Sequence, residues 1–195
     1  MKFTVPEGTT PIDDISALRT PGILTAKDLN AAEAENILYA MENHLRRPQS
    51  PKKQWFSEKY IRQLHRDMFD RVWEWAGRYR HTEVNIGVSA HLIREEIAKL
   101  VLDVHGWKDT NLPVLERAVR LHHRLSRIHP FLNGNGRHAR LMSDIYLFSF
   151  HLPRPAWPES KISAGGDTRK AYIHALHMAD SGDIQPLMQL TEKLT

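Results

Sequence analysis

The chain has 195 residues, enough for one domain that buries its own hydrophobic core. It contains no cysteine, which excludes disulfide frameworks, thiolate metal sites and cysteine nucleophiles. The 27 basic and 23 acidic residues leave a net charge of +4 without a long basic tract, so we expect no direct nucleic-acid binding. No apolar run reaches the roughly 18 residues that span a bilayer, and residues 1–11 lack the apolar centre of a secretory signal. We therefore expect a cytoplasmic protein without a membrane segment.

The N-terminal quarter is predicted to contain an arm followed by a helix. Residues 1–24 should be irregular because three prolines interrupt them. A helix is expected over residues 25–47, where Thr25 and Asp28 have the spacing of a capping box. Residues 1–55 are thus interpreted as an arm and a helix that precede a core domain.

A second helix is expected to begin after Ser57, which can cap it, and to end before Gly77. Its apolar residues recur at helical spacing from Tyr60 to Val72. The period then changes, because residues 82, 84, 86 and 88 alternate with the turn formers Asn85 and Gly87. This alternation predicts a short β-hairpin between Tyr79 and Leu92.

The remaining pattern is helical. Apolar stripes predict helices over residues 93–104, 113–129, 136–150, 168–181 and 183–193. The fourth helix must end before Pro130, since the residue before a proline disfavours helical geometry. The sequence therefore predicts an all-α fold with one small β-hairpin, in which residues 56–195 form the core domain.

The segment that carries chemistry runs from His129 to Arg140 and reads HPFLNGNGRHAR. Residues 134–136 are able to turn their backbone N–H groups into an anion-binding nest at the start of a helix. Arg137 and Arg140 lie three residues apart, so both guanidinium groups would project near that nest and favour a polyphosphate. His129, at the other end of the loop, is suited to act as a general base. An ordinary turn between two helices accounts for the same residue types, and spacing alone leaves both interpretations open.

The same segment resembles the Fic signature, usually written H-P-F-x-[D/E]-G-N-G-R-x-x-R. Every fixed position of this signature is matched except the acidic one, where Asn133 stands. The resemblance extends over roughly residues 56–190 and includes residues 73–80, which resemble the segment before the Fic flap. With residues 10–12 and 29–37 included, the chain is most similar to the bacterial subgroup called mobile mystery protein B.

The resemblance implies a protein adenylyltransferase that moves AMP from Mg-ATP to a Ser, Thr or Tyr hydroxyl of a target protein. Carried over position by position, His129 is the base that deprotonates the hydroxyl, and Phe131 is the core anchor of the loop. The phosphates are assigned to Gly134, Asn135, Gly136, Arg137 and Arg140, with Arg140 at the terminal phosphate. In this superfamily a lysine at the position of Gly136 accompanies phosphate transfer, so Gly136 favours transfer of the nucleotidyl group. Toxin-like activity and an antitoxin partner are further expectations from the family.

Asn133 departs from the family pattern, which has Asp or Glu as the protein ligand of Mg²⁺. An amide oxygen is able to bind Mg²⁺ but carries no negative charge, so we expect weaker metal affinity. ATP brings the metal with it, which leaves activity possible. The alternative is a regulatory nucleotide-binding module with little turnover.

Residues 82–87, the expected flap, would bind the target by adding its backbone as an extra strand near His129. A purely structural hairpin is the alternative interpretation of this segment.

Fic proteins are often restrained by a helix with the pattern [S/T]-x-x-x-E-[G/N], whose glutamate pairs with the second arginine of the signature. Glu35 matches half of this pattern and Glu33 lies nearby, so either is expected to pair with Arg140; a solvated helix face is the alternative.

A third hypothesis for the function is a metal-dependent nucleotide phosphohydrolase. His122, His123, His129 and Asp144 supply residue types that bind metals. However, the sequence has no His-Asp dipeptide and no His-Glu-x-x-His motif, and His122 is expected to pack in the core. Tyr172, outside the signature, lies on a C-terminal helix that would border an adenine pocket.

Overall fold

The computed structural model describes residues 16–20, 22–50, 55–164 and 166–195, and the prediction for residues 1–15 lies outside this part of the chain. The fold is helical, as predicted. The α-helices of the described residues are α1 Ala26–His44, α2 Glu58–Phe69, α3 Ile93–Gly106, α4 Val114–Ile128, α5 Asn135–Ser149, α6 Glu159–Ala164, α7 Asp167–Asp180 and α8 Gln185–Glu192. Helix α6 was not predicted, and the other bounds lie within three residues of the expected ones except at the end of α2.

The predicted helix starts are confirmed by their caps. The Thr25 hydroxyl accepts from the Asp28 N–H, and the Asp28 carboxylate accepts from the Thr25 N–H, which completes the capping box of α1. The Ser57 hydroxyl accepts from the Tyr60 N–H at the start of α2. Helix α2 ends at Phe69, and Val72 lies beyond it in a turn.

A buried helical hairpin forms the centre of the fold. Helices α4 and α5 are joined by six residues, and the Ser143 hydroxyl of α5 donates to the Ala118 carbonyl of α4 at 3.0 Å, far from that loop. The two helices therefore run antiparallel along much of their length. Helices α1, α2 and α3 contribute to one core on this hairpin, and α6, α7 and α8 pack on α4 around a second cluster.

The predicted β-hairpin is not confirmed. Throughout residues 79–92, all of which are described, the single strand-like pairing is an isolated bridge between Tyr79 and Phe131. The carbonyls of Thr82 and Val88 instead accept hydrogen bonds from the Arg80 guanidinium. Because one side chain satisfies both ends of the segment, it folds as an irregular loop, followed by a 3₁₀ turn at Ala90–Leu92.

Among the described residues, no helix combines the length and the apolar character that crossing a bilayer requires.

Candidate active site

The signature segment forms the loop between α4 and α5. Ile128 is the last residue of α4, and His129 follows it in the left-handed conformation with φ 52° and ψ 59°. Such a conformation is unfavourable for a residue with a Cβ, so the surroundings must hold it. The Arg80 side chain does so by donating from Nε to the His129 carbonyl at 2.8 Å. The loop ends at Gly134, with φ 78°, directly before α5.

Phe131 lies where a loop anchor should lie. Its side chain is fully buried and stacks on the His65 ring with 3.7 Å between centroids. Its backbone is closed onto Asn135, whose side-chain oxygen accepts from the Phe131 N–H at 2.9 Å and whose amide donates to the Phe131 carbonyl at 2.8 Å. The Asn135 side chain therefore shapes the loop through these two hydrogen bonds.

The first turn of α5 presents its backbone to the loop. The first bond of the helical pattern runs from the His138 N–H to the Gly134 carbonyl at 3.0 Å, so the amides of residues 135–137 precede it. The Gly134 amide donates to the Asn133 side chain at 2.6 Å and is not part of this set. A Cβ at Gly136 would lie 3.5 Å from the Arg140 guanidinium, which places this arginine beside the same turn.

His129 is held as a neutral imidazole. Burial lowers its pKa to about 4, the bond to the Ser126 carbonyl works against this, and the nearby Arg80 charge lowers it further. Nδ1 lies 3.4 Å from the Ser126 carbonyl oxygen, which accepts but does not donate. A neutral ring with its proton on Nδ1 would donate to this oxygen and would have its acceptor nitrogen at Nε2.

Each signature arginine is paired with a carboxylate. Arg137 contacts Glu33 of α1 with 2.6 Å between Nη1 and Oε2, and the buried Glu33 also accepts from the Trp73 indole at 2.7 Å. Arg140 is buried, and the Glu159 carboxylate accepts from its Nε at 2.7 Å and from its Nη2 at 2.5 Å.

The expected pairing of Glu35 or Glu33 with Arg140 is therefore replaced by two other pairs. On α1 the buried residues are Leu29, Glu33, Asn36 and Ala40, one helical stripe. Glu35 lies off this stripe and is exposed, so it does not face the loop. Arg140 is reached instead by Glu159 of α6 and by the Tyr172 hydroxyl, which lies 3.2 Å from its Nη1.

His65 is a site residue that the sequence analysis missed. It is fully buried on α2, its Nδ1 accepts from the Gly77 N–H at 3.0 Å, and its Nε2 lies 3.0 Å from the Asn133 carbonyl oxygen. Because Nδ1 accepts, Nε2 carries the proton and donates to Asn133. Burial lowers the pKa of His65 well below its usual value, which keeps the ring neutral. Its position four residues after Ile61 and three before Met68, on the same helix face as the predicted apolar stripe, was an available signal.

The histidines of the phosphohydrolase hypothesis do not form a metal site. His122 is buried, as expected, and its Nε2 lies 2.8 Å from the Tyr172 hydroxyl. His123 pairs with Asp180, and Asp144 accepts from the Trp157 indole. Within the part of the chain that the structure describes, no group of three His, Asp or Glu side chains lies close enough to hold a metal ion.

Comparisons with known proteins match the part of the chain that contains this loop. The Fic/DOC family model matches residues 55–147, which include the whole signature. Residues 55–147 therefore resemble a Fic/DOC family domain. A relative named protein adenylyltransferase fic-1, from Caenorhabditis elegans, is 31% identical over 122 residues, which are 60% of this chain and 23% of the relative. The chain thus spans about a quarter of the length of the curated relatives it matches.

Solved structures show the same fold over a larger part of the chain. A fragment of Fic-1 from C. elegans is 27% identical with a TM-score of 0.67, over 90% of this chain and 50% of that one. The N-terminal Fic domain of a putative cell filamentation protein from Bartonella quintana, with bound ADP, has a TM-score of 0.67 at 19% identity, over 93% and 92% of the two chains. The likeness in fold therefore extends beyond the residues that the family model matches.

Proposed function

We propose that the chain is a protein adenylyltransferase, which moves AMP from Mg-ATP to a Ser, Thr or Tyr hydroxyl of a target protein. One observation carries this proposal: a neutral His129 and the amide-presenting first turn of α5 lie at the two ends of one six-residue loop. A base and an anion site at the two ends of one loop suit transfer of a phosphorus-centred group to a hydroxyl. The family supports the same chemistry, because curated relatives from several animals are named protein adenylyltransferase.

In the proposed reaction the target hydroxyl oxygen attacks the α-phosphorus of ATP. The bond from this phosphorus to the bridging oxygen breaks, and pyrophosphate leaves with that electron pair. His129 accepts the hydroxyl proton at Nε2, since Nδ1 donates to Ser126. The amides of residues 135–137 and the α5 dipole favour the phosphate charge, and Arg137 and Arg140 add two guanidinium groups.

Mg²⁺ enters this reaction as part of the substrate Mg-ATP. Asn133 offers one neutral amide oxygen, and that oxygen accepts from the Gly134 N–H at 2.6 Å. Mg²⁺ prefers charged carboxylate and phosphate oxygens, so this donor set fits a resident magnesium ion poorly. The triphosphate must supply most of the ligands, and no step depends on a metal held by the protein.

Glu33 is proposed to restrain the enzyme by occupying Arg137. The pair is short, and the Trp73 indole fixes the carboxylate from its other side. A guanidinium held this way is not available to bind the phosphates until the ion pair opens.

The test compares Glu33→Gln, whose side-chain oxygen still accepts from Trp73, with Glu35→Gln, an exposed change on the same helix. Glu33→Gln should raise self-labelling from α-labelled ATP by about 5- to 150-fold, the usual range of such couplings. Equal rates in both variants would show that Glu33 has a structural role only.

The target is proposed to contact residues 82–87, which lie against the catalytic loop. The Val88 N–H donates to the Ile128 carbonyl at 3.4 Å, and the Gly87 backbone approaches His129. The subgroup mobile mystery protein B, a cytoplasmic location, toxin-like activity and an antitoxin partner are further proposals that rest on the sequence alone.

The experiment that tests the function is incubation of the protein with Mg²⁺ and α-labelled ATP, alone and in a cell lysate. We expect covalent label on protein with wild type. His129→Ala should lose about 10²- to 10⁴-fold in labelling and still retain nucleotide on filter binding. Label that is retained but never covalent would favour the regulatory binding module, and labelled soluble product would favour a hydrolase.

A further inference from the structure

The Arg80 side chain links three backbone segments around the catalytic loop. Its side chain is fully buried. Nε donates to the His129 carbonyl at 2.8 Å, Nη1 donates to the Thr82 carbonyl at 3.0 Å, and Nη2 donates to the Val88 carbonyl. Two of these carbonyls lie at the two ends of residues 82–88, the segment called loop 82–88 below, and the third belongs to His129 itself.

Main-chain contacts also join Arg80 and loop 82–88 to the residues around His129. The Arg80 N–H donates to the Pro130 carbonyl at 3.0 Å, directly after His129. A Cβ at Gly87 would lie 2.6 Å from the His129 Cβ and 3.0 Å from Arg80 Nη2. Loop 82–88 therefore lies in close contact with both the catalytic histidine and the guanidinium that holds it.

We propose that Arg80 is a positioning residue, which fixes loop 82–88 relative to the His129 imidazole and so sets the approach of the acceptor hydroxyl. This inference rests on the proposed adenylyltransferase function and adds to it the residue that couples the target-binding segment to the base. Arg80 donates to the loop and to the His129 backbone and takes no part in the bonds that form or break.

The geometry requires an arginine. The guanidinium is a planar fork whose N–H groups reach carbonyls in three directions at once. A lysine ammonium in the same place is a compact charge on a flexible chain, so it leaves at least one of the three carbonyls without its donor. The bond to the His129 carbonyl is buried and those to Thr82 and Val88 are part-buried, so a carbonyl left without its donor is costly and loop 82–88 would move to regain one.

A structural role and a positioning role predict different kinetics. If Arg80 only stabilises the fold, its loss lowers the amount of folded enzyme and leaves the properties of the folded fraction unchanged. If Arg80 positions the loop, the folded enzyme turns over more slowly while its affinity for ATP stays the same. The start of α5, where ATP is proposed to bind, is fixed separately by the two hydrogen bonds between the Asn135 side chain and the Phe131 backbone.

The test uses Arg80→Gln, Arg80→Lys and the matched control Arg78→Gln, an exposed arginine two residues earlier. Self-labelling from α-labelled ATP is measured over a range of ATP concentrations on protein whose folded fraction is known from circular dichroism. We expect Arg80→Gln to lower the maximal rate about tenfold to a hundredfold, with the KM for ATP within about twofold of wild type. Arg80→Lys should fall between Arg80→Gln and wild type, and Arg78→Gln should equal wild type.

Cleavage of the native protein by a glutamate-specific protease reports the loop directly, because Glu83 lies within it. Arg80→Gln and Arg80→Lys should be cut after Glu83 faster than Arg78→Gln. Wild-type labelling rates and cleavage rates in both Arg80 variants would overturn the inference, and so would a loss carried entirely by the KM for ATP. If Arg80→Gln does not fold, Arg80→Lys decides by the same two readouts. Absence of label on wild type overturns the proposed function instead, and the cleavage rates then still decide whether Arg80 fixes the loop.

Discussion

Gly134 is the position in the loop between α4 and α5 where an added side chain meets the closest contacts. Its φ is +78°, and a Cβ there would lie 2.5 Å from Cζ and 2.6 Å from Cε2 of Phe69. Phe69 is fully buried, so its ring has no open space to move into. Gly134→Ala should therefore carry two penalties, about 1–3 kcal/mol for the backbone conformation and about 1–3 kcal/mol for overpacking.

Gly182 separates these two penalties. It has φ +98°, and a Cβ there would meet no atom within 4 Å. Gly182→Ala thus carries the backbone penalty alone. In urea unfolding followed by circular dichroism, Gly134→Ala should lose about 1–3 kcal/mol more free energy of unfolding than Gly182→Ala, with unchanged m-values. Equal losses in the two variants would refute the close contact of Gly134 with Phe69.

Three further predictions concern the metal, the base and the buried His122. Asn133→Asp should reach half-maximal labelling at a lower Mg²⁺ concentration than wild type, because it adds a charged ligand; identical magnesium titrations would remove this role of Asn133. The labelling rate should stay constant from pH 8 down to about 5.5, because burial lowers the pKa of His129 to about 4; a rate that halves near the ordinary histidine value of about 6.5 would contradict a buried neutral base. Burial also lowers the pKa of His122 to about 3, so its stabilising contribution is complete above about pH 6.5 and is lost as the pH falls. Between pH 7 and pH 5, wild type should therefore lose about 2 kcal/mol more unfolding free energy than His122→Gln, measured in urea, and parallel losses would be evidence against this shift.

Local signals predicted the helices of the described residues except α6, and the starts of α1 and α2. The Thr25 and Ser57 caps depend on residues within one turn, so the sequence contains all the information they need. The β-hairpin prediction was not confirmed because alternation at residues 82–88 says nothing about hydrogen bonds from the neighbouring Arg80 side chain to the backbone carbonyls. The Thr82 and Val88 carbonyls accept from the Arg80 guanidinium and not from the backbone of a second strand.

The candidate site was predictable to the extent that it lies in one segment. The signature predicted the positions of His129, the buried Phe131 and the first turn of α5. It did not predict the carboxylate partners of the arginines, because Glu33 lies 104 residues from Arg137 in the chain. Motif spacing pointed to Glu35, whereas the helical phase of α1 turns Glu33 toward the loop.

The central claim is that this loop transfers the α-phosphorus of ATP to a protein hydroxyl. The most direct measurement incubates Glu33→Gln with Mg²⁺ and either α-labelled or γ-labelled ATP, and counts label on the denatured, washed protein. The account predicts stable label from α-labelled ATP alone, with the γ-label released as pyrophosphate. Covalent label from γ-labelled ATP, or no covalent label from either nucleotide, would contradict it.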